Sequence, residues 1–381
     1  MNRDLDSIVD DFVSSHCSPS EEEREIVKAE YAQLRYMLPE GAFQSGSYAR
    51  FTAITPLNDL DVIWVVPEST RVRLDEKSLT MDSALSTLAE RLREEYRKAR
   101  RNVRITPQFP SIMIKFMDFE GDFSIDIVPA YELTEKNEFG DPLYQIPEVG
   151  LMGRRQRRTF YESRDATNSV AWIKTDPRGY IERARRSNEL SGSFRRATKL
   201  LKKWMVAWKG KENFNGTEFK LKSFHIEIAI QELIHQNLKL STLDSAEKFM
   251  TDIEAYLAKP HFKDRAQTAG TPTRYIDQYV SNLDDGQKRI VKIAAHNGLI
   301  VIGFLRKAEN EQDIEDWLNR LLSGEEFIEA YGHRIDSSTI HDRAYFSIDG
   351  NVRKKPGSPS GWLTKSVPLQ KGLARGFNSR Q

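Results

Sequence analysis

The chain has 381 residues, 39% apolar and 30% charged, which excludes a disordered or fibrous polymer and indicates a soluble globular protein larger than one hydrophobic core usually supports. Lysine and arginine number 57 against 56 aspartates and glutamates, so the net charge of +1 supplies no global pull toward nucleic acid or membrane, and any anion site must be local. A single cysteine, Cys17, excludes an intramolecular disulfide and a multi-cysteine zinc site and fits a reducing compartment.

The first residues, MNRDLDSIVDDF, are acidic and lack the basic start and apolar run of a secretory signal. No apolar stretch approaches the roughly 20 residues that cross a bilayer. The longest, Ala294 to Leu305, is interrupted by His296, Asn297 and Gly298 and reads as a packed helix. The expectation is a cytoplasmic protein with no membrane partner.

From Glu21 to Tyr36, Ile26, Val27, Tyr31, Leu34 and Tyr36 recur near helical spacing behind Ser18-Pro19-Ser20, a good helix start. Phe43 to Ala53 is a turn of small residues, and Asp61 to Val66 (DVIWVV) is a β-branched run ended by Pro67, which predicts a buried strand. Leu85, Leu88, Leu92 and Tyr96 predict an amphipathic helix to Arg100. Ser111 to Met117 and Phe123 to Val128 predict a hairpin around residues 118–122. From about Thr134 to Arg164 periodicity is lost, and the basic run Arg154 to Arg158 suggests an exposed connection. Helices are predicted over 194–208, 222–236, 245–257, 284–305 and 311–322, and the Ser-, Gly-, Pro- and Arg-rich stretch after about Gly332 reads as mobile or loosely docked. The division this implies is a core over 1–165 with an N-terminal helix, a helical lobe over 166–331 and a C-terminal extension over 332–381.

The chemistry concentrates in Gly46-Ser47, then Asp59-Leu60-Asp61, then Asp126. Residues two apart in an extended segment face the same side, so Asp59 and Asp61 present both carboxylates to one point. Asp126 stands between Ile125 and Ile127, where an ionised carboxylate is costly unless a cation compensates it. Three such acids on neighbouring strands can hold two Mg²⁺ about 4 Å apart, the arrangement that serves in-line phosphoryl displacement. Alone, a D-x-D pair is also a common turn or helix cap, and Gly46-Ser47 an ordinary N-cap; as a phosphate cradle, the turn would offer backbone N–H groups and the Ser47 hydroxyl. Their order is what carries the signal.

The segments GSYARFTAITPLNDLDVIWVV and FSIDIVPAY resemble the polymerase-β-like nucleotidyltransferases, and within them the bacterial cGAS/DncV-like group, relatives of cyclic GMP-AMP synthase and oligoadenylate synthetase. The likeness spans roughly residues 20–330: AWIKTDP (171–177) resembles the start of the family's helical lobe, LLKKW (200–204) its lysine helix and KSFHIE (222–227) its serine-aromatic-His helix start. The resemblance implies an α+β fold, a nucleotidyltransferase core with a mixed β-sheet packed on an α-helical second lobe. It implies that Gly46 and Ser47 grip the donor triphosphate, that Asp59 and Asp61 bind two Mg²⁺ (or Mn²⁺), and that Asp126 completes one metal site and helps deprotonate the attacking hydroxyl. It places Lys202 and Ser223 on the donor's outer phosphates and Phe224 against a base.

Read from the residues alone, Lys202 sits in a basic helix with Arg195, Arg196, Lys199 and Lys203 whose default is a solvated face, and Phe224 and His225 are by default structural. Arg50 either braces the turn through carbonyls, the preferred reading, or touches phosphate. Phe51 departs from the small residue or glycine that relatives often carry. With no Cys/His zinc insertion, duplex DNA is not expected as a partner. The implied activity is synthesis of cyclic di- or trinucleotide messengers from nucleoside triphosphates, as donor and acceptor, with a separate effector protein and regulatory proteins as partners. The rival is a transferase that adds nucleotides to RNA ends or protein side chains. Base choice, linkage and ring size are not legible.

Overall fold

Ser20 fixes where the first long helix begins: its hydroxyl accepts the N–H of Glu23 at 3.1 Å, and the Glu23 carboxylate accepts the N–H of Ser20 at 2.6 Å. This reciprocal cap satisfies two backbone donors that a helix start otherwise leaves open. The computed structural model describes residues 4–38, 41–76, 78–79, 81–108, 111–117, 123–148, 171–211, 217–266 and 273–324. The basic run Arg154 to Arg158 and the stretch after Gly332 lie outside them.

Helix α1 (Leu5–Phe12) is followed by a π-helical turn (Val13–Cys17) and α2 (Glu21–Met37). Next come β1 (Ala42–Gln44), the four-residue α3 (Gly46–Ala49), β2 (Asp59–Val65), α4 (Glu68–Asp75) and α5 (Met81–Lys98). Strands β3 (Val103–Gln108), β4 (Ser111–Phe116), β5 (Ser124–Lys136), β6 (Pro142–Glu148) and β7 (Ala171–Thr175) complete the sheet. The rest is helical: α6 (Pro177–Leu190), α7 (Ser193–Lys209), α8 (Ser223–Gln236), α9 (Thr242–Thr251), α10 (Ile253–Ala258), α11 (Asp285–Leu305) and α12 (Glu311–Ser323).

Among the described residues the strands run in the order β1-β2-β5-β4-β3, with β6 and β7 continuing from the far end of β5. Strands β2 and β5 pair in parallel and the remaining neighbours antiparallel, so the sheet is mixed, as expected. Helices α2 and α5 cover one face: Val27, Leu34, Leu88 and Leu92 pack on Leu60, Val62, Ile114, Ile125 and Ile127. With a side-chain period of two, the alternate residues of β2 and β5 must then face the other way.

A second core is helical, built around Leu200, Leu201, Trp204 and Trp208 of α7 with Ile226 and Ile230 of α8. Ile8, Val9 and Phe12 of α1 belong to this helical core, although α1 precedes the sheet in the chain. The helix predicted over 245–257 is two helices that meet at Asp252, and the region from Thr134, read as loop, carries the end of β5 and all of β6. Pro142 and Pro147 disguised β6, because proline removes the ladder donor that marks a strand.

Candidate active site

The site begins at a turn that only glycine closes. Gly46 holds φ +67°, in the left-handed region, and a Cβ there would lie 1.7 Å from Oδ2 of Asp61. Its lack of a side chain therefore brings the turn against the acid as well as permitting the backbone angle. The N–H of Ser45 donates to the Asp61 carbonyl at 2.8 Å, which docks the turn on β2, and Ser45 supplies no side-chain cap to α3. Phe51, the expected departure, stands at φ +60° and is 63% exposed, with the Arg195 guanidinium 4.5 Å from its ring centroid. A non-glycine residue in this conformation costs about 1–2 kcal/mol, which is why glycine is the easier occupant there.

The three aspartates share a face. Asp61 and Asp126 are direct partners in the parallel β2–β5 register, flanked on both strands by the buried pairs Leu60–Ile125 and Val62–Ile127 that turn toward α2 and α5. Asp59 lies two residues before Asp61 and so presents to the same side. Burial, then the charge of Asp59, pushes the Asp61 carboxyl up to about 6, with Arg50 opposing and Asp126 adding. The same two causes raise Asp126. Its Oδ1 is buried and has no hydrogen-bond partner among the described residues.

Carboxylates that repel on one face, one with an orphaned oxygen, form a hard oxygen donor set that suits a small divalent cation. No group of three His, Cys, Asp or Glu side chains among the described residues is already drawn into ligating distance of a common point. The fit lies in shared face and charge.

Lys202 and Glu227 close on the turn from the helical side and meet Arg50 and Thr52, which directly follow it. Glu227 accepts from Arg50 through Nε, from Arg50 Nη2 at 3.4 Å, from the Thr52 hydroxyl at 2.7 Å and from Lys202 at 3.1 Å. Lys202, 3% exposed, also reaches the Thr52 carbonyl and hydroxyl, both at 3.1 Å. Burial would raise the Glu227 carboxyl, yet Arg50 and Lys202 hold it down at about 2. Burial, with Arg50 nearby, lowers the Lys202 ammonium, and Glu227 opposes that shift. With acceptors on all three of its N–H bonds, Lys202 is held as a cation.

Lys202 is thus placed beside the turn, but with all three N–H groups engaged. Arg50 braces the turn, as preferred from the sequence, through a carboxylate rather than carbonyls.

Ser223 is exposed at the first position of α8, whose start has no side-chain cap of its own. Phe224 is half-buried, its ring meeting Tyr180 edge-on at 5.1 Å and lying under Arg50 at 4.9 Å. His225 is buried; its Nδ1 lies 2.8 Å from the Tyr279 hydroxyl, which also accepts the Lys222 N–H at 3.2 Å. Tyr279 thus pairs with Nδ1 in either tautomer of the imidazole and helps anchor the start of α8. Burial takes the imidazole down to about 4, which keeps it neutral and structural.

Thr52 and Glu227 are the residues that sequence reasoning missed. Glu227 was visible only as the last letter of KSFHIE, and nothing local distinguishes a buried glutamate from a solvated one.

Residues 5–148 match the family model of the Second Messenger Oligonucleotide or Dinucleotide Synthetase domain. In fold the chain is similar to CdnC of Escherichia coli MS115-1 solved with ATP, at 16% identity over 83% of this chain and 97% of that one, with a TM-score of 0.57. The same protein in a CdnC:HORMA-deltaN complex gives 15% identity over 83% and 96%, with a TM-score of 0.56. A mutant of the Vibrio cholerae dinucleotide cyclase DncV gives 13% identity over 88% and 82%, with a TM-score of 0.51. Comparison with curated proteins gives no match. Residues 5–148 thus match a Second Messenger Oligonucleotide or Dinucleotide Synthetase domain, and around the paired Asp61 and Asp126 the chain is similar in fold to CdnC and DncV.

Proposed function

We propose that this protein joins nucleoside triphosphates into a cyclic di- or trinucleotide messenger with release of pyrophosphate, in bacterial anti-phage (CBASS) signalling. The observation that carries this reading is the set of Asp59, Asp61 and Asp126 on one sheet face, beside a glycine turn that no other residue could close. Gly46 and Ser47 receive the donor triphosphate, and Ser223, exposed at the start of α8, meets its outer phosphates with the charge of Lys202 behind it. Phe224 offers a ring to the base, since an aromatic face stacks on any base. Asp126 accepts the proton of the attacking 2′- or 3′-hydroxyl, which displaces pyrophosphate from the α-phosphorus.

Two Mg²⁺, or Mn²⁺, when held by the three aspartates, would acidify the hydroxyl and neutralise the charge gathering on the leaving group. Repetition on the linear product and ring closure give the messenger, which a separate effector protein reads. The HORMA complex of CdnC supports a regulatory protein partner here as well. No described helix is long and apolar enough to cross a membrane, and we place the protein in the cytoplasm.

Purified protein incubated with the four ribonucleoside triphosphates and Mg²⁺ or Mn²⁺ tests the reading. Phosphatase-resistant products together with pyrophosphate support it. A requirement for added RNA or protein as acceptor replaces it with end-modifying transfer.

A further inference from the structure

Glu227 is 2% exposed, yet it is bonded to charged or polar groups from both halves of the cleft. Arg50 and Thr52 follow the Gly46-Ser47 turn by a few residues, while Lys202 comes from α7 and Glu227 from α8. One carboxylate therefore fastens the turn to the helical core just where the chain leaves α3. The ammonium of Lys202 has three hydrogens, and Thr52 and Glu227 accept all three.

Cohesion alone does not call for such a group, because apolar residues of similar volume join two cores at least as well as a buried ion cluster does. Ions add direction and charge. A guanidinium fork and an ammonium bonded to one carboxylate have fixed positions, and the pair of cations stays in the cleft while their repulsion is balanced locally. The same guanidinium lies over Phe224, so the fastening extends toward the base side of the cleft.

On the enzymatic reading given above, we propose that Glu227 is a positioning residue for the donor triphosphate. It sets the Gly46-Ser47 turn against α7 and α8 and holds Lys202 and Arg50 behind the place of the outer phosphates.

The test is binding selectivity: full-length Glu227→Gln and wild type are titrated by calorimetry with a nonhydrolysable nucleoside triphosphate and with the matching monophosphate, and both are melted. We expect a lower but cooperative melt, a loss of about tenfold or more in triphosphate affinity, and a change in monophosphate affinity below about twofold, since hydrogen bonds to charged groups are worth about 1.5–3 kcal/mol. Thr52→Val keeps the carboxylate and deletes the hydroxyl between it and Lys202; it should narrow the same selectivity about fivefold, the equivalent of about 1 kcal/mol for losing that hydroxyl's bonds to the two charged groups.

The proposal is overturned if Glu227→Gln, or Thr52→Val where the former does not fold, melts lower and keeps the wild-type ratio of the two affinities. A wild type without preference for the triphosphate overturns it too. Failure of the enzymatic reading shows separately, as a wild type that releases no pyrophosphate while the affinity ratios still judge Glu227.

Discussion

Asp61 on β2 and Glu227 on α8 are both within the influence of Arg50, yet burial and Asp59 push one carboxyl up to about 6 while Arg50 and Lys202 hold the other at about 2. Around Asp61 the sheet gathers like charges and leaves the Asp126 Oδ1 unpartnered among the described residues; around Glu227 the turn and the helices bring two cations and a hydroxyl onto one carboxylate. The first arrangement is destabilised by its own charge, which a cation from outside would relieve. The second is complete and serves to hold a shape. Deleting a charge should therefore have opposite consequences in the two places.

The largest effect is on turnover. Asp59→Ala and Asp61→Ala should each lower pyrophosphate release on the order of 10³-fold, about 4 kcal/mol at the transition state, with no fall in melting temperature. Retention of full turnover in either variant would falsify the site assignment. On the other side of the comparison, Lys202→Met leaves Glu227 buried with one cation fewer and should cost about 3–5 kcal/mol in urea unfolding. A loss below about 1 kcal/mol would mean that the cluster is looser than its geometry indicates.

Acid sharpens the contrast. A carboxyl held low in the folded state contributes stability that is fully present above its unfolded value and is lost as pH falls through the folded one. Glu227 should thus supply at most about 3 kcal/mol that disappears from about pH 4.5 toward pH 2, and Glu227→Gln should lack that component of the wild-type profile. Coincident acid profiles for the two proteins would place the lost stability elsewhere.

The smallest effect has the reverse sign. Without divalent cations, Asp61→Asn removes one of the clustered charges and should raise stability by about 1 kcal/mol. Added Mg²⁺ should then raise the melting temperature of the wild type and not of the variant; equal shifts in both would show that Asp61 is not a ligand.

How much of this was legible varies with how local the cause is. The capped start of α2, the strand after Asp59 and the pairing of β4 with β5 follow from residues within a few positions of one another, and the structure has them. Strands β1, β3, β6 and β7 were missed. Pro107 and Pro147 break the strand pattern in two of them, and only pairing with a neighbour makes such segments extended. The shared face of Asp59 and Asp61 came from the period of two, but the placing of Asp126 directly beside Asp61 needed the parallel register of β2 and β5. Phe51 stood out as a departure, and its positive φ gives the reason.

By itself the sequence determined the acids, the glycine turn and the alternation that puts Asp59 and Asp61 on one side of a strand, because periodicity and backbone sterics act over a few residues. Tertiary structure alone decided that Lys202 faces a carboxylate rather than solvent, and that Arg50 and Thr52 meet Glu227 across 177 and 175 positions of chain. The charge state and reach of a side chain depend on what the fold buries around it, and that environment is assembled from segments far apart in the chain.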